Sequence, residues 1–375
     1  MNCTKILIAH QSTIPHYRIN FYEELKKVKA SNWDFSVVYD SKVSKIKNYI
    51  IINPNNYSLS IINTKTKICR LFNKYIYFQD FIFSSRNYDI LIVENALNNI
   101  SYPLSFLLRG KKIILWGTGE DFSVVNPSLL KKVMERFKLF LCKKSDGFLA
   151  YTEGVKKILM NNNIEEKNIT VLNNTIDIMS HRKRFLSTKN KIQNKHNSHN
   201  SLLFVGRLNK RKKIEFLLDS FLLMKEMNPS FKLLVVGKGD TTYVNFLKNK
   251  YKDNNIKFLG EITDQELMCK LYIKSSLLVF PGDVGLGPLD ALCYNLIPVI
   301  IESRTHNPER EYLNNNNSFI FPSSITKERY ASEIIRICSN KIMIEEKQKS
   351  SWESIKHLTL ENMAKNFARG IEKII

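Results

Sequence analysis

Short apolar runs alternate with helical periodicities along most of the chain. In the first half, apolar and β-branched residues fill positions 5–10, 35–39, 89–93, 112–116, 147–151 and 170–172. Because these runs are continuous, both faces of each predicted strand are expected to be buried, as in a parallel sheet that helices cover. Helical patterns at 18–27, 129–144 and 152–161 supply the cover. The first half therefore predicts an α/β domain.

The alternation stops at residues 180–200 and then starts again. This segment holds six Lys or Arg, three His and no acid, which is typical of an exposed linker. Strand-like runs follow at 202–205, 232–236, 257–259, 277–280, 298–301 and 319–321. We therefore predict an α/β protein with two Rossmann-like domains, 1–180 and 201–355, that face each other across a cleft, joined by a basic linker at 181–200. A last helix, about 356–375, is expected to pack back on the first domain.

Composition narrows the class of protein. Hydrophobic residues make up 43% and charged residues 25% of the 375 residues, which excludes a mainly disordered chain. Lys and Arg number 57 against 35 acids, a net charge of +22, so an anionic partner is expected: a nucleic acid, an acidic lipid surface or a phosphorylated substrate. The six scattered Cys form neither a zinc motif nor a disulfide framework. With no signal peptide and no spanning segment of roughly 20 apolar residues, a cytoplasmic protein is predicted.

Two segments carry candidate chemistry. The first, Val-Gly-Arg-Leu-Asn-Lys-Arg-Lys-Lys at 205–213, places cations at the carboxyl end of a strand and beside a helix start, where a diphosphate can bind. An ordinary solvated basic turn explains the same residues equally well. The second, 280–301, has a loop with three glycines, then Pro288 and Asp290 at a predicted helix start. Asp290 is either a ligand or a residue that only stabilises the helix dipole.

Taken together, these motifs resemble the retaining GT-B glycosyltransferases of family 4. Val-Gly-Arg-Leu with Lys212, Val-Val-Gly-Lys-Gly at 235–239, Phe-Leu-Gly-Glu-Ile-Thr-Asp at 258–264 and Gly-Leu…Asp-Ala-Leu…Pro-Val-Ile at 285–300 follow the family's order and spacing. The first half resembles the family more loosely, through Ile-Pro-His-Tyr-Arg at 14–18, Leu-Trp-Gly-Thr-Gly at 115–119 and Asn-Asn-Thr-Ile-Asp at 173–177. The resemblance implies the GT-B fold.

The resemblance also implies roles for individual residues. Arg207 and Lys212 match the pair that grips the donor diphosphate, and with Asp283 they are the candidate catalytic residues. The other donor-binding candidates are Gly206, Gly237, Gly239, Ile262, Gly285, Leu286 and Asp290. Candidates on the acceptor side are His16, Arg18, Thr118 and Glu120.

The chain departs from the family's Glu-x7-Glu motif. Asp290 takes the place of the second Glu, which hydrogen-bonds the donor ribose, but the first Glu is replaced by Gly282. Asp283 or the loop amides are then the candidates to replace it. Gly287 stands where the family has Pro, and Thr118 fills a turn that often holds His. A subgroup of the family carries Pro-Gly-Asn/Asp-Val-Gly-Leu in this loop, so activity is still expected.

The implied function is transfer of a sugar from UDP or GDP to a saccharide acceptor, lipid-linked, in cell-surface polysaccharide, O-antigen or capsule biosynthesis. The chain has no Asp-x-Asp, so no metal or cofactor is expected, and Arg207, Lys212 and helix amides would neutralise the leaving diphosphate. A GT-B nucleotide-sugar 2-epimerase is the first alternative. A basic nucleic-acid-binding protein is the second, and no nucleic acid is expected as a partner because no recognisable binding module accompanies the charge.

The helical pattern at 129–144 is basic and amphipathic. It carries six Lys or Arg, one acid and an apolar face, a pattern typical of helices that lie on anionic bilayers. Since it falls between two predicted strands, the favoured interpretation is a domain helix with its apolar face in the core. The cations would still allow peripheral contact with an anionic membrane.

Overall fold

The chain forms two compact units. The computed structural model describes residues 3–47, 49–71, 74–122, 128–189 and 200–375. The first unit is Met1–Asp177 with Leu358–Ile375, and the second is Ile178–His357.

The first unit is built on a seven-stranded parallel sheet in the order β3-β2-β1-β6-β7-β8-β9, and β4 and β5 pair separately as an antiparallel hairpin. Its strands are β1 (Thr4–Ala9), β2 (Trp33–Tyr39), β3 (Ile61–Asn63), β4 (Thr66–Leu71), β5 (Lys74–Gln79), β6 (Ile90–Glu94), β7 (Lys112–Gly117), β8 (Gly147–Ala150) and β9 (Ile169–Val171). Its helices are α1 (Ile19–Val28), α2 (Ser41–Ile46), α3 (Phe81–Ser84), α4 (Ser101–Leu104), α5 (Leu129–Lys144), α6 (Glu153–Asn161) and α14 (Leu360–Glu372).

The second unit repeats the plan with a six-stranded parallel sheet in the order β12-β11-β10-β13-β14-β15. Its strands are β10 (Ser201–Val205), β11 (Lys232–Val236), β12 (Ile256–Gly260), β13 (Leu277–Phe280), β14 (Ile297–Ile301) and β15 (Phe319–Phe321). Its helices are α7 (Ile178–Lys189), α8 (Ile214–Met227), α9 (Thr241–Lys250), α10 (Gln265–Lys274), α11 (Gly287–Cys293), α12 (Lys327–Ser339) and α13 (Lys341–Ile355).

Burial explains why the central strands were recognisable. All residues of β13 and β14 are buried, as continuous apolar runs demand when helices cover both faces of a sheet. The predicted α/β fold with parallel sheets is confirmed. The short strand β3 and the hairpin of β4 and β5 were not predicted from the sequence. Strand β3 has only three residues, and Lys67 and Arg70 interrupt the apolar residues of β4.

The chain terminus completes the first unit. Helix α14 packs on α1 and on β8 and β9, and Phe367 lies 5.0 Å from Trp116 and 5.4 Å from Phe21 between ring centroids. Thr359 caps the helix by accepting a hydrogen bond from the Asn362 amide at 3.0 Å. The last helix therefore belongs to the first core, although the whole second unit, Ile178–His357, separates it in the chain from the rest of the first unit.

Two sequence interpretations need correction. Residues 181–189, expected to be linker, belong to helix α7 of the second unit, because Phe185 is buried and Arg182 bonds to the end of α11; residues 190–199 lie outside the described residues. The apolar face of α5 is exposed instead of buried. Only the last turns of α5 pack inward, through Leu141 and Cys142.

Candidate functional site

The carboxyl edge of the second sheet collects most of the predicted donor residues. Loops that leave β10, β11, β12, β13 and β14 all start at this edge, since the five strands are parallel neighbours. In open α/β sheets this is the edge where ligands bind. The cations after β10 and the glycine loop after β13 therefore lie on the same side of the unit.

The cations occupy a tight turn, residues 207–213, which we call the basic turn. Asn209 caps it by accepting a hydrogen bond from the Lys212 amide at 3.2 Å. Lys213 then adopts a left-handed backbone with φ of +49°, a conformation that costs a residue other than glycine free energy and that surrounding contacts must hold. Helix α8 starts immediately afterwards.

Asp283 binds the two residues that precede Lys213. Asp283 is buried, at 6% exposed. One carboxylate oxygen accepts a hydrogen bond from Arg211 Nε at 2.5 Å, while the other accepts from the Thr305 hydroxyl. Its backbone carbonyl accepts from Lys212 Nζ, and its amide donates to the Arg211 carbonyl at 3.0 Å. Asp283 therefore positions the basic turn, and both of its carboxylate oxygens are already engaged. This differs from the direct catalytic role proposed from the sequence.

Gly282 shows why the family's first Glu is absent. A Cβ atom at this position would lie 2.3 Å from the Arg211 carbonyl oxygen and 2.4 Å from the Lys212 carbonyl carbon. Those are backbone atoms, which cannot move aside without displacing the basic turn. The loop after β13 thus packs backbone against backbone on this turn, and a side chain at 282 has no space.

The loops after β10 and β11 are held together in the same way. Gly206 donates a hydrogen bond to Val236 at 3.0 Å, and a Cβ at Gly237, where φ is +138°, would lie 1.9 Å from the Gly206 carbonyl oxygen. Two residues further along each loop, Leu208 and Gly239 form an isolated bridge. Close packing of the two loops thus accounts for these glycines without a ligand. Ile262 is half-buried in the loop that leaves the adjacent strand β12.

A segment after β14 anchors the glycine loop, and the sequence analysis overlooked it. His306 accepts a hydrogen bond from the Val284 amide at 3.1 Å through Nδ1 and donates to the Ile301 carbonyl at 3.0 Å through Nε2. Burial lowers its pKa below the ordinary histidine range, which suits this neutral tautomer. Gly285 lies beside the Asn307 amide. No sequence motif marks these residues. Their contacts with the glycine loop depend on the pairing of β14 with β13, which the sequence does not state.

The electrostatics of the basic turn suit an anion. Burial lowers the pKa of Lys212, the Asp283 carboxylate raises it, and the charges of Arg211 and Arg207 lower it again. Arg207 is exposed at the start of the turn. Three cations held close together repel one another, so an anionic group placed among them would be attracted strongly.

Asp290 lies in the first turn of α11 and pairs with a residue from α7. His181 Nδ1 is 3.1 Å from a carboxylate oxygen of Asp290 and 3.2 Å from the Tyr294 hydroxyl. Burial raises the pKa of Asp290, and His181 acts in the opposite direction. Leu286 is half-buried at the start of α11. His181 was placed in a linker by the sequence analysis and is the site residue it most clearly missed.

Comparisons with known proteins show what this unit is similar to. Residues 187–355 match the model of the family described as "Glycosyl transferases group 1". The second unit is therefore similar to the group 1 glycosyltransferase domains along nearly its whole length. An uncharacterized glycosyltransferase of Methanocaldococcus jannaschii is 28% identical over 158 residues, covering 40% of this chain. The chain spans only 39% of that relative's length in the alignment.

Solved structures extend the likeness to both units. Sucrose-phosphate synthase of Thermosynechococcus elongatus matches with a TM-score of 0.72 at 14% identity, covering 99% of this chain and 98% of that one. HepE of Anabaena in complex with UDP matches with a TM-score of 0.69 at 11% identity, covering 98% and 99%. The fold is therefore that of the GT-B glycosyltransferases, as the family 4 resemblance implied.

The acceptor-side candidates of the first unit differ in burial and in their partners. Arg18 is 1% exposed; it donates to Asn174 at 2.9 Å, and its guanidinium lies 5.5 Å from the Trp116 ring centre. Arg18 lies buried where α14 packs over α1. These contacts favour a role in packing over the predicted role in acceptor binding. His16, two residues earlier, is exposed.

Thr118 and Glu120 lie at the carboxyl edge of the first sheet, just after β7. The Thr118 hydroxyl donates to the Glu120 carbonyl at 2.8 Å. Burial raises the pKa of Glu120, with a further rise from Glu135 and a decrease from Lys138. Glu94, at the end of neighbouring β6, was overlooked; burial raises its pKa as well, against the charge of Lys47. A carboxyl group with a raised pKa at a ligand-binding edge can exchange a proton.

Among the described residues, no group of three or more His, Cys, Asp or Glu side chains is placed to hold a metal ion. No helix in those residues is both long enough and apolar enough to cross a bilayer.

Proposed function

We propose that the chain is a glycosyltransferase that moves a sugar from a nucleoside diphosphate, UDP or GDP, to a saccharide acceptor. The observation that carries the proposal is the basic turn at the carboxyl edge of a group 1 glycosyltransferase domain, fastened by Asp283 from the neighbouring loop. The UDP complex of the Anabaena protein of the same fold supports a uridine nucleotide as the first donor to test.

In this proposal, the basic turn stabilises the leaving group. When the bond between the anomeric carbon and the diphosphate oxygen breaks, negative charge increases on the diphosphate, and Arg207 and Lys212 would neutralise it. Asp283 keeps Lys212 in place, since both its carbonyl and its carboxylate bind the turn. Asp290 would bind the donor ribose. These residues leave no step that requires a metal ion, so transfer is expected to persist in EDTA.

The finer parts of the proposal concern stereochemistry and acceptor. We propose retention of the anomeric configuration, hexosyl transfer and a lipid-linked acceptor in cell-surface polysaccharide synthesis, in keeping with the family 4 resemblance. The charge of +22 supports an acceptor held at an anionic surface.

A panel of nucleotides and nucleotide sugars in a thermal-shift assay tests the proposal. One nucleotide should raise the melting temperature, since only binding to the native state stabilises it. Arg207→Ala should remove that rise, whereas Lys248→Ala, an exposed cation of α9 in the same unit, should keep it.

Product analysis then separates transferase from epimerase. The proposed transferase needs an acceptor and leaves the sugar's C2 unchanged, while a 2-epimerase alters C2 with the donor alone. If no nucleotide stabilises the chain, or if the donor alone is epimerised, the proposed function is wrong.

A further inference from the structure

Helix α5 of the first unit presents an apolar stripe to solvent. The stripe consists of Leu129, Leu130, Val133, Met134, Phe137 and Phe140, which are between 43% and 79% exposed. At 3.6 residues per turn these positions cover roughly 140° of the helix surface, and the helix is about 24 Å long. Phe137 and Phe140 stack with ring centroids 6.4 Å apart. This is a continuous face, unlike the single exposed apolar residues found on most protein surfaces.

The side of α5 that faces inward is partly polar. Lys138 is buried there beside Leu141 and Cys142, and its ammonium pairs with Glu135 at 3.4 Å. A surface helix of a globular domain usually does the opposite, burying its apolar stripe and exposing its charges. The polarity of α5 therefore indicates that something outside the first core covers the stripe.

Charge indicates what covers it. Lys132, Arg136 and Lys143 are exposed along one border of the stripe, and no carboxylate in the described part of the chain pairs with any of them. Lys144 lies at the end of the helix with its ammonium 5.9 Å from the Phe140 ring. Such side chains can extend past inserted apolar groups to reach anionic headgroups. A second copy of this chain would instead oppose cation to cation.

We propose that α5 docks the protein on an anionic bilayer, with its apolar stripe inserted at the level of the headgroups and its cations bound to lipid phosphates. The inference deepens the proposed function and rests on it for the identity of the acceptor, but membrane docking itself needs no donor. A helix of this kind lies in the plane of the interface and does not span the bilayer.

Contacts within the first unit join α5 to the acceptor-side loop. Asn95 Nδ2 donates both to the Gly119 carbonyl and to Cys142 Sγ, each at 3.3 Å. Lys131, in the first turn of α5, pairs with Asp121 at 2.7 Å. Docking through α5 would therefore hold the loop of Thr118 and Glu120 next to the headgroups, where the sugar of a lipid-linked acceptor lies.

Vesicle flotation of the full chain tests the inference, without nucleotide. Vesicles of phosphatidylcholine are compared with vesicles in which a third of the lipid is phosphatidylglycerol. One variant, Phe137→Ser with Phe140→Ser, removes apolar contact. A second, Lys132→Gln, Arg136→Gln and Lys143→Gln, removes three charges. A matched control, Lys157→Gln, Lys248→Gln and Lys349→Gln, removes three exposed charges from other helices.

The parent should bind the anionic vesicles and not the zwitterionic ones. Each cation near the surface contributes roughly fivefold to affinity, so the α5 charge variant should bind about 100-fold more weakly. The two Ser substitutions should cost at least about tenfold. The control should bind nearly as the parent does, and all four proteins should share one melting temperature.

Several results would overturn the inference. They are no binding of the parent to anionic vesicles, equal binding of the Ser variant, or equal losses in the α5 charge variant and its control. Binding of the chain to RNA with no binding to vesicles would assign the cations to a different partner. Nucleotide stabilisation of the same preparations is measured separately, so failure of docking is distinguishable from failure of the proposed donor site.

Discussion

The two units place an arginine at the same topological point and use it differently. Arg18 follows the central strand β1 and immediately precedes α1, while Arg207 follows the central strand β10 and precedes α8. Arg18 is enclosed by Tyr17, Phe21 and Trp116 and bonds to Asn174. Arg207 is exposed beside Lys212.

The difference follows from what covers each strand end. In the first unit, the C-terminal helix α14 packs on α1 and brings Met363 within 3.5 Å of the Arg18 guanidinium. In the second unit, Asp283 binds the basic turn through Arg211 and Lys212, and Arg207 remains exposed to solvent. One Rossmann-like plan thus yields a packing residue in one unit and a candidate anion-binding group in the other.

The largest effect should come from the exposed arginine. Arg207→Ala removes a cation from the increasing diphosphate charge, so transfer should fall by roughly 2–4 kcal/mol of transition-state stabilisation, about 30- to 1000-fold in kcat/KM. The melting temperature without nucleotide should change little, because the side chain is exposed. Lys212→Ala should reduce transfer similarly, but its melting temperature should fall as well, because it loses the hydrogen bond to the Asp283 carbonyl. Steady-state kinetics beside Lys248→Ala test this, and transfer at the parent's rate by Arg207→Ala would refute the phosphate assignment.

The buried arginine should affect folding instead. Arg18→Ala leaves a space among three aromatic rings, so the free energy of unfolding should fall by about 2–3 kcal/mol. Arg18→Met keeps an apolar side chain of similar length, so it should recover most of the unfolding free energy that Arg18→Ala loses. Denaturant unfolding measures both, with nucleotide affinity as a control that should not move. If Arg18→Ala leaves the stability unchanged and raises the KM for the acceptor, Arg18 is an acceptor-binding residue and not a packing residue.

Patterns that depend on neighbours in sequence were predictable, whereas patterns that depend on neighbours in space were not. The bounds of β11, β13 and β15 follow from continuous apolar runs, and α5 was bounded correctly at residues 129–144. Its periodicity, however, states only that one face is apolar, not which face meets the core. The exposure of α5 therefore could not be inferred from sequence.

The candidate site divides in the same way. Arg207, Lys212 and Asp290 could be named as candidates because the family motif is local. The function of Asp283 was not, since its partners Arg211 and Thr305 are 72 and 22 positions away in the chain. His181 was missed because a run of cations and histidines without acids is typical of a linker, and its contact with Asp290 spans two helices.

Gly282 offers a test of intermediate size. Gly282→Ala places a methyl group against the backbone of the basic turn, and overpacking of this kind costs roughly 1–3 kcal/mol. Because Arg211 and Lys212 must shift, nucleotide affinity should fall together with stability. Gly285→Ala is the matched control, since its Cβ would meet only the end of the Asn307 side chain, at 2.9 Å.

Thermal unfolding and nucleotide titration of both glycine variants decide the matter. The loss should be clearly larger for Gly282→Ala than for Gly285→Ala. Equal behaviour would mean that the basic turn does not depend on close packing at 282. Gly282→Glu restores the family's acid but should lose more stability and more nucleotide affinity than either alanine variant. Its larger side chain would collide with the backbone of the basic turn.

The smallest effect concerns Asp290, where a ligand and a structural residue predict different results. As a ribose ligand, its carboxylate accepts hydrogen bonds that Asn could keep only in part, so Asp290→Asn should weaken nucleotide binding by about 1–2 kcal/mol, roughly five- to thirtyfold. As a first-turn residue, it would contribute only about 0.3–1 kcal/mol to helix stability. Calorimetric titration of UDP and GDP against both proteins measures the difference.

His181 makes this test sharper, because it contacts the same carboxylate without being a proposed nucleotide ligand. If Asp290 binds ribose and His181 positions it, His181→Gln should weaken nucleotide binding less than Asp290→Asn does and lower the melting temperature slightly. If the pair only fastens α7 to α11, both variants should lower the melting temperature equally and leave affinity unchanged. In that second case Asp290 is a structural residue. The family's paired-acid motif then has no ligand-binding member in this chain, because Gly282 already replaces the first acid.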